Sequence, residues 1–128
     1  MRAAAIALLG LVGCSTMAPS PTALGGEWGG PHVGLVLNGG LGALQYDCAS
    51  GTIDSPIIPG PGGRFEVTGT HRPGQDGPVG QIFVSHRAQY TGTVNKDEMT
   101  FTAMVDDGTV IGPYVLKRGE PPQLTRCL

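Results

Sequence analysis

The histidines are the side chains in this sequence best suited to act as a catalytic base or a metal ligand, and they lie far apart. His32, His71 and His86 have no second histidine within four residues, and neither an HExxH motif nor a pair of CxxC motifs is present. Metal sites usually show such close spacing. We therefore expect solvent-facing strand and loop positions for the three histidines. The alternative, a metal site formed by their convergence in space, stays open at this point.

Ser85 and His86 place a hydroxyl beside an imidazole. Adjacent residues on a β-strand point to opposite faces of the sheet, so this pair could not form a productive hydrogen bond there. The chain also lacks the Gly-x-Ser-x-Gly elbow of many hydrolases. Residues 60–63 lack the Gly-Lys-Ser/Thr sequence of a phosphate-binding loop. These features predict a protein that is not an enzyme and that binds no metal or cofactor.

The acidic residues are spread along the chain and are not paired as in a glycosidase. Three of them alternate with residues expected to point inward, so these three should face water. Four others occupy predicted turns, where Asp favours hydrogen bonds to the local backbone. The first group is Asp47, Asp54 and Glu66, and the second is Asp97, Glu98, Asp106 and Asp107. Asp106-Asp107-Gly108 falls far short of a calcium-binding loop.

The N-terminus has the pattern of an export signal. Met1-Arg2 is followed by an apolar run over residues 3–12. Such a run is too short for a membrane-spanning helix, which needs about 20 residues, but it fits the hydrophobic region of a signal peptide. The run ends in Leu11-Val12-Gly13-Cys14, which resembles the lipobox of bacterial lipoproteins. The resemblance implies that residues 1–13 are removed and that Cys14 becomes the acylated N-terminus.

The alternative to lipidation is a conventional signal peptide cleaved later, for example after Ala18, which would leave Pro19 as the first residue. If the lipobox operates, the protein is anchored in the cell envelope. Ser15 follows the cysteine in place of the Asp that retains lipoproteins in the inner membrane. The resemblance therefore implies an outer-membrane location facing the periplasm. Residues 14–25 are small, polar and Pro-containing, which predicts a flexible lipidated tether.

Cys48 and Cys127 are the cysteines that remain after either cleavage. An even number of cysteines in an oxidising compartment indicates a disulfide. We therefore predict a bridge between them, closing a loop of about 80 residues. The alternative is a reactive thiol, which rarely persists in that compartment.

Charge argues against a nucleic-acid partner. The chain has 8 Lys and Arg against 10 Asp and Glu, and loss of Arg2 with the signal peptide changes the net charge from −2 to −3. No basic patch is present that could neutralise phosphates. The 22 Gly and 11 Pro residues are interspersed with alternating apolar residues, which is typical of a turn-rich β domain and not of disorder.

From Gly26 onward, apolar and polar residues alternate with the period of half-buried strands. Seven or eight short strands are predicted, in runs over residues 32–37, 44–48, 52–58, 64–70, 88–94, 99–105 and 111–117, with a further short run at 124–128. Asn38-Gly39-Gly40 is a strong hairpin turn between the first two. Ser50-Gly51 is a second predicted turn. The spacing favours an all-β fold, a small antiparallel up-and-down barrel over residues 26–128.

Gly26-Glu27-Trp28 precedes the first long strand and resembles the opening of lipocalins and related calycin barrels. In that family the Trp plugs the closed end, so the resemblance implies that Trp28 is buried at one end of the barrel. The alternative is a core Trp without family meaning. The Trp-Gly-Gly start, the Asp-Cys-Ala-x-Gly segment and the Arg-Cys-Leu end also resemble small bacterial proteins without an assigned activity, and this likeness implies none.

Residues 72–84 are the longest stretch without alternation, and a long loop on a small rigid barrel often carries binding function. The candidate binding residues are Arg72, Gln75, Asp76, Ile82, Phe83 and Val84. The alternative is that residues 82–84 cap the barrel and complete its core. The expected inward set mixes large and small residues, which usually fills a small barrel: Phe65, Tyr90, Phe101 and Tyr114 with Gly42, Gly69, Gly92 and Ala103.

These observations lead to the hypothesis of a lipid-anchored, non-catalytic binding module in the periplasm. Its partner would be an envelope protein that it inhibits or assists. Two other hypotheses remain, a carrier of a small apolar ligand inside the barrel and a purely structural envelope lipoprotein.

Overall fold

The fold is a closed eight-stranded antiparallel barrel in which each strand pairs with its neighbours in sequence and the first pairs with the last. We describe it from a computed structural model that covers residues 22–74 and 84–125. The strands are β1 (Gly26–Gly30), β2 (Val33–Asn38), β3 (Leu41–Tyr46), β4 (Ala49–Ile53), β5 (Arg64–Pro73), β6 (His86–Asn95), β7 (Glu98–Val105) and β8 (Val110–Arg118), with a short 3-10 turn at Pro61–Gly63. The predicted up-and-down barrel is confirmed.

The connections divide between two ends of the barrel. We call one the loop end; its described residues are 31–32, 47–48, 74, 84–85 and 106–109, which lie between alternate strand pairs. The other is the tether end, which carries residues 22–25, 39–40, 54–63, 96–97 and 119. Among the described residues, no helix has the length and apolar character needed to cross a bilayer.

Alternation explains where the strands form. In β7, Met99, Phe101, Ala103 and Val105 are all buried, as predicted, and the residues between them are partly or fully exposed. The turn between β2 and β3 is also as predicted. Gly39 and Gly40 adopt φ of 60° and 88° there, the left-handed conformation that a two-residue type I′ hairpin requires.

Glycines allow neighbouring strands of the barrel to approach each other closely. A Cβ on Gly69 would collide with the carbonyl oxygen of Thr52 on β4, and a Cβ on Gly92 would collide with that of Thr100 on β7. The large side chains occupy the remaining interior, where Tyr90, Met99 and Leu116 are fully buried. The prediction that large and small residues together fill the barrel agrees with this packing.

Several strand boundaries differ from the sequence prediction. Ser50 and Gly51 lie inside β4, which ends at Ile53, and residues 54–60 form a connection. Pairing with β3 and β5 on both sides holds Gly51 in the sheet, an interaction that a turn propensity does not reveal. β5 extends to Pro73, so the irregular connection begins at residue 74 and not at Arg72.

The eighth strand is β1 and not the C-terminal run. Residues 124–125 are irregular, and residues 126–128 lie outside the described part of the chain. Alternation did not predict β1 as a separate strand, because β1 is Gly-rich. It is held by pairing with β2 along its whole length and with β8 at two positions.

Residues 119–125, here called the C-terminal strap, cross the outer face of β1 and β2 from the tether end to the loop end. Gly119 donates its N–H to the Glu27 carbonyl at 2.7 Å. Gln123 donates to the Gly30 carbonyl at 3.0 Å, and its own carbonyl accepts the His32 N–H at 2.8 Å. The strap can lie this close because β1 and β2 present Gly29 and Gly34 beneath it, where any side chain would strike Pro121 or Pro122.

Trp28 is buried, as predicted. Its indole N–H donates to the Gly25 carbonyl at 3.1 Å. The guanidinium of Arg118, its register partner on β8, lies 4.4 Å from the ring centroid, within the range of a cation–π interaction. The side chain therefore packs the core and also ties β1 to β8.

Replacing Trp28 with Ala is expected to lower the free energy of unfolding by roughly 3–5 kcal/mol, the cost typical of truncating a buried aromatic side chain. Urea denaturation followed by circular dichroism measures this. The matched control is Val115→Ala on β8, which removes an exposed side chain and should change stability by less than about 0.5 kcal/mol. Equal stability of the two variants would contradict the structural role of Trp28.

Candidate functional site at the loop end of the barrel

A group of aromatic and polar side chains fills the barrel interior toward the loop end. We call it the Tyr–His cluster; its members are Tyr46, His71, Tyr90 and Tyr114. The Tyr46 ring meets His71 edge-on with centroids 5.5 Å apart, and it lies 5.4 Å from the Tyr114 ring. Each residue comes from a different strand, so the closed barrel is what brings them together.

Two buried polar atoms in this cluster have no hydrogen-bond partner within the part of the chain that the structure describes, the Tyr46 hydroxyl and His71 Nδ1. Tyr90 differs, because its hydroxyl donates to the Thr70 carbonyl at 2.6 Å. Unpaired buried polar groups cost stability, and in native proteins they often mark a functional feature. The two atoms therefore distinguish the loop end from the rest of the core.

Burial disfavours the charged forms of the side chains in the Tyr–His cluster. Desolvation raises the pKa of Tyr46 far above its usual value, with smaller contributions from Tyr90 and Tyr114. Burial likewise raises the pKa of Tyr90 to about 12 and lowers the pKa of His71. The expectation that all three histidines face solvent is thus wrong for His71, whose position on the inner face of β5 buries it.

The other two histidines pair with carboxylates on neighbouring loop-end connections. His32 Nδ1 lies 2.6 Å from Asp47 Oδ2 and links the connection after β1 to the one after β3. His86 Nδ1 lies 3.1 Å from Asp106 Oδ1 and links β6 to the turn after β7. These pairs are exposed, and in the described ranges no three His, Cys, Asp or Glu residues gather as a metal site would require.

Asp47 also fixes the end of the C-terminal strap. Its Oδ1 accepts the N–H of Thr125 at 2.8 Å. This hydrogen bond, followed by the interaction with His32, lowers the pKa of the Asp47 carboxyl. One carboxylate therefore joins the strap, the turn after β1 and the turn after β3.

The hydrogen bond between Asp47 and Thr125 favours the predicted disulfide between Cys48 and Cys127. Cys48 follows Asp47 and is not a free thiol. Cys127 lies outside the described residues, but the chain is fixed at Thr125, two residues before it, against the residue that precedes Cys48. The Cys48–Cys127 pairing stays a prediction with this geometry in its favour.

The candidate binding loop is only partly described. Arg72 is exposed near the end of β5, opposite Ser50 of β4. Val84 is 60% exposed just before β6. Gln75, Asp76, Ile82 and Phe83 lie outside the described residues, as does Cys14.

Two exposed aliphatic residues that the sequence analysis did not single out lie beside this loop. Met104 on β7 and Val110 on β8 are opposite each other in register, and each is 59% exposed. They line an open cleft of about 560 Å³ that also includes Arg87 and Asp106. The alternation in β7 already implied that Met104 points outward, but Val110 required knowledge of the pairing between β7 and β8.

The burial of His71 predicts a pH dependence of stability. Since its folded-state pKa lies below the ordinary value of 6.5, the unfolded chain takes up this proton more readily. Stability is then full above about pH 6.5 and falls as the pH decreases below it. Urea denaturation from pH 8 to about pH 5, above the ordinary range of carboxyl titration, should show this slope in the wild type and a smaller slope in His71→Leu.

The matched control for that experiment is His32→Asn, since Asn tolerates the positive φ of 68° at this position. This variant removes an exposed histidine and should keep most of the slope. Equal slopes in the wild type and in His71→Leu would contradict the assignment to His71.

Mass spectrometry under non-reducing conditions should show Cys48 and Cys127 joined, and reduction should lower the melting temperature without changing strand content. The chain-entropy model gives roughly 4 kcal/mol as an optimistic figure for the stabilisation. Cys48→Ser should melt like the reduced wild type. Alkylation of both thiols in the native, unreduced protein would refute the pairing.

Comparison with known proteins does not extend these findings. No family model, no curated protein and no solved structure matches the chain. The resemblance of Gly26-Glu27-Trp28 to the opening of calycin barrels therefore stays a prediction.

Proposed function

We propose that the protein is a lipid-anchored, non-catalytic binding module of the bacterial envelope, and that it meets a protein partner at the loop end of the barrel. The observation that carries this proposal is the group of exposed aliphatic side chains at that end, Val84, Met104 and Val110. Met104 and Val110 are cross-strand neighbours at the β7–β8 turn, and Val84 lies just before β6 at the same end. This end is opposite the one at which residues 22–25 enter β1.

The exposed aliphatic side chains at the loop end include neighbours in the sheet and are not all isolated from one another. Isolated exposed aliphatic residues are common on soluble proteins, whereas adjacent ones beside a cleft are typical of interaction sites. Met104 and Val110 are cross-strand neighbours, and the flanking Arg87 and Asp106 supply polar groups at the edge of the cleft. An apolar centre with a polar rim is the usual anatomy of a protein interface.

The N-terminal sequence supports the location. The Leu11-Val12-Gly13-Cys14 motif after an apolar run favours acylation of Cys14, and Ser15 favours the outer membrane, facing the periplasm. An envelope protein is therefore the partner that this module would encounter, as an inhibitor or an accessory.

The packing of the barrel favours this function over carriage of a ligand in its interior. Tyr90, Met99 and Leu116 occupy the centre. Gly69 and Gly92 bring strands too close for an added methyl group. An apolar ligand inside would have to displace side chains that stabilise the fold.

Site-specific photocrosslinking in cells tests the proposal. A photoreactive residue at position 84 or 110 is expected to give an adduct of discrete mass, because these positions contact the partner. The matched control is position 115, also exposed on β8 but on the barrel wall, and it should give none.

A second arm of the experiment asks whether the contact is energetically important. Val110→Asp should reduce the adduct from position 84 about tenfold or more, as expected for an interface hot spot, with an unchanged melting temperature. Cys14→Ala should release the protein from the membrane or leave it unprocessed. Adducts at position 115 that equal those at positions 84 and 110 would refute a loop-end partner.

A further inference from the structure

We infer that the tether end of the barrel rests on the membrane that holds the lipid anchor, through an uncharged rim formed by the β2–β3 hairpin and the β4–β5 connection. This inference depends on the proposed acylation of Cys14. It assigns the two ends of the barrel different tasks, membrane contact at one and partner contact at the other.

The rim consists of the β2–β3 turn (residues 38–41) and the β4–β5 connection (residues 55–63), which belong to two uncharged sequence segments. Residues 33–46 and residues 55–63 contain no charged side chain. They meet at the tether end, where Pro56 packs so closely on Gly40 that an added Cβ there would lie 3.0 Å from the proline ring.

Two large aliphatic side chains project from this rim into solvent. Leu41, at the start of β3, is 61% exposed, and Ile58, in the connection after β4, is 45% exposed. Neighbouring Ile57 is fully buried, so the connection is anchored in the core while Ile58 points outward. Exposed aliphatic and proline side chains without nearby charge suit the interface of a bilayer, where a charged group would lose hydration.

The chain length between the lipid and the barrel restricts which surface faces the membrane. Leu24 donates its backbone N–H to the Ile57 carbonyl at 2.8 Å, which fixes the N-terminal segment against the rim itself. Between Cys14 and Thr22 lie residues 15–21, and such a segment spans at most about 28 Å when fully extended. This upper limit, set by chain length alone, holds the rim at high effective concentration beside the lipid surface.

Charges at the edge of the rim are compatible with a phospholipid surface. Arg64 follows the uncharged connection directly and is exposed, and Lys96 occupies the tether-end turn after β6. Acidic side chains also lie at this end: Asp97 pairs with Arg118, Asp54 accepts a hydrogen bond from the Thr52 hydroxyl and keeps its charge, and Glu98 is exposed at the start of β7. A bilayer is favoured over a protein as the occupant because the short tether keeps this rim, and not the loop end, next to lipid.

Hydrogen exchange of the full acylated protein, reconstituted at low density in phosphatidylethanolamine–phosphatidylglycerol vesicles, tests the inference. Exchange of peptides covering residues 38–41 and 55–63 should be slower than in soluble Cys14→Ala. The expected slowing is about tenfold if the rim is docked nine-tenths of the time. Peptides covering residues 106–109 at the loop end should exchange at the same rate in both.

The double variant Leu41→Asp, Ile58→Asp should still float with the vesicles but lose the slowing at the rim. Val110→Asp, which alters an equally exposed aliphatic residue at the opposite end, should keep it. Melting temperatures of all variants in solution check that the barrel is intact, and both rim substitutions replace exposed side chains.

The outcomes separate the inference from the proposal on which it depends. Failure of the wild type to float would reject both the lipid anchor and the docked rim. Flotation with no slowing at the rim, or with equal slowing at the loop end, would leave the anchor standing and overturn the docking. If the slowing at the rim disappears when the protein is diluted further within the vesicles, the rim contacts a second copy of the chain. That result would also overturn membrane docking.

Discussion

The pairing of β1 with β8 is the interaction on which the rest of the structure depends, because it turns a meander of strands into a barrel. The seam is short, with two register pairs, Trp28 with Arg118 and Gly29 with Lys117. Trp28 strengthens it from inside by burial and through the guanidinium above its ring. Without closure, β1 and β8 would be unprotected edges, and the Tyr–His cluster, whose members come from separate strands, would not assemble.

The C-terminal strap reinforces this seam from outside and makes the two ends of the barrel different. An even number of up-and-down strands leaves both termini at the same end, here the tether end. The strap carries the chain back across β1 and β2 to Asp47 at the loop end. Gly29 and Gly34 are required for this path, so two glycines that weaken strands locally allow a contact that joins the strap to the turns after β1 and β3.

Alternation predicted the elements in which local pattern and final environment agree. β7 is the clearest example, since each residue expected inward is buried. The burial of Trp28 was implied by the resemblance of Gly26-Glu27-Trp28 to calycin barrels and not by alternation. β1 as a separate strand and the continuation of β4 through Gly51 were not predicted, because each depends on a partner distant in sequence. The burial of His71 was missed because the predicted strand ended at residue 70, although its alternation, continued by one residue, places His71 on the inner face. The aliphatic pair of Met104 and Val110 likewise exists only through the register of β7 and β8.

An eight-stranded barrel has an interior just wide enough for side chains to fill, and this one fills it with Tyr90, Met99, Leu116 and their neighbours. Recognition is then left to the ends and the outer wall. The ends differ in chemistry as well as position. The loop end has His–Asp pairs, two buried polar atoms that have no partner among the described residues, and exposed aliphatic residues beside a cleft. The tether end has the uncharged β2–β3 turn and β4–β5 connection next to the entering chain. Because the N-terminal segment joins the barrel at the tether end, the loop end is the end better placed to meet a partner.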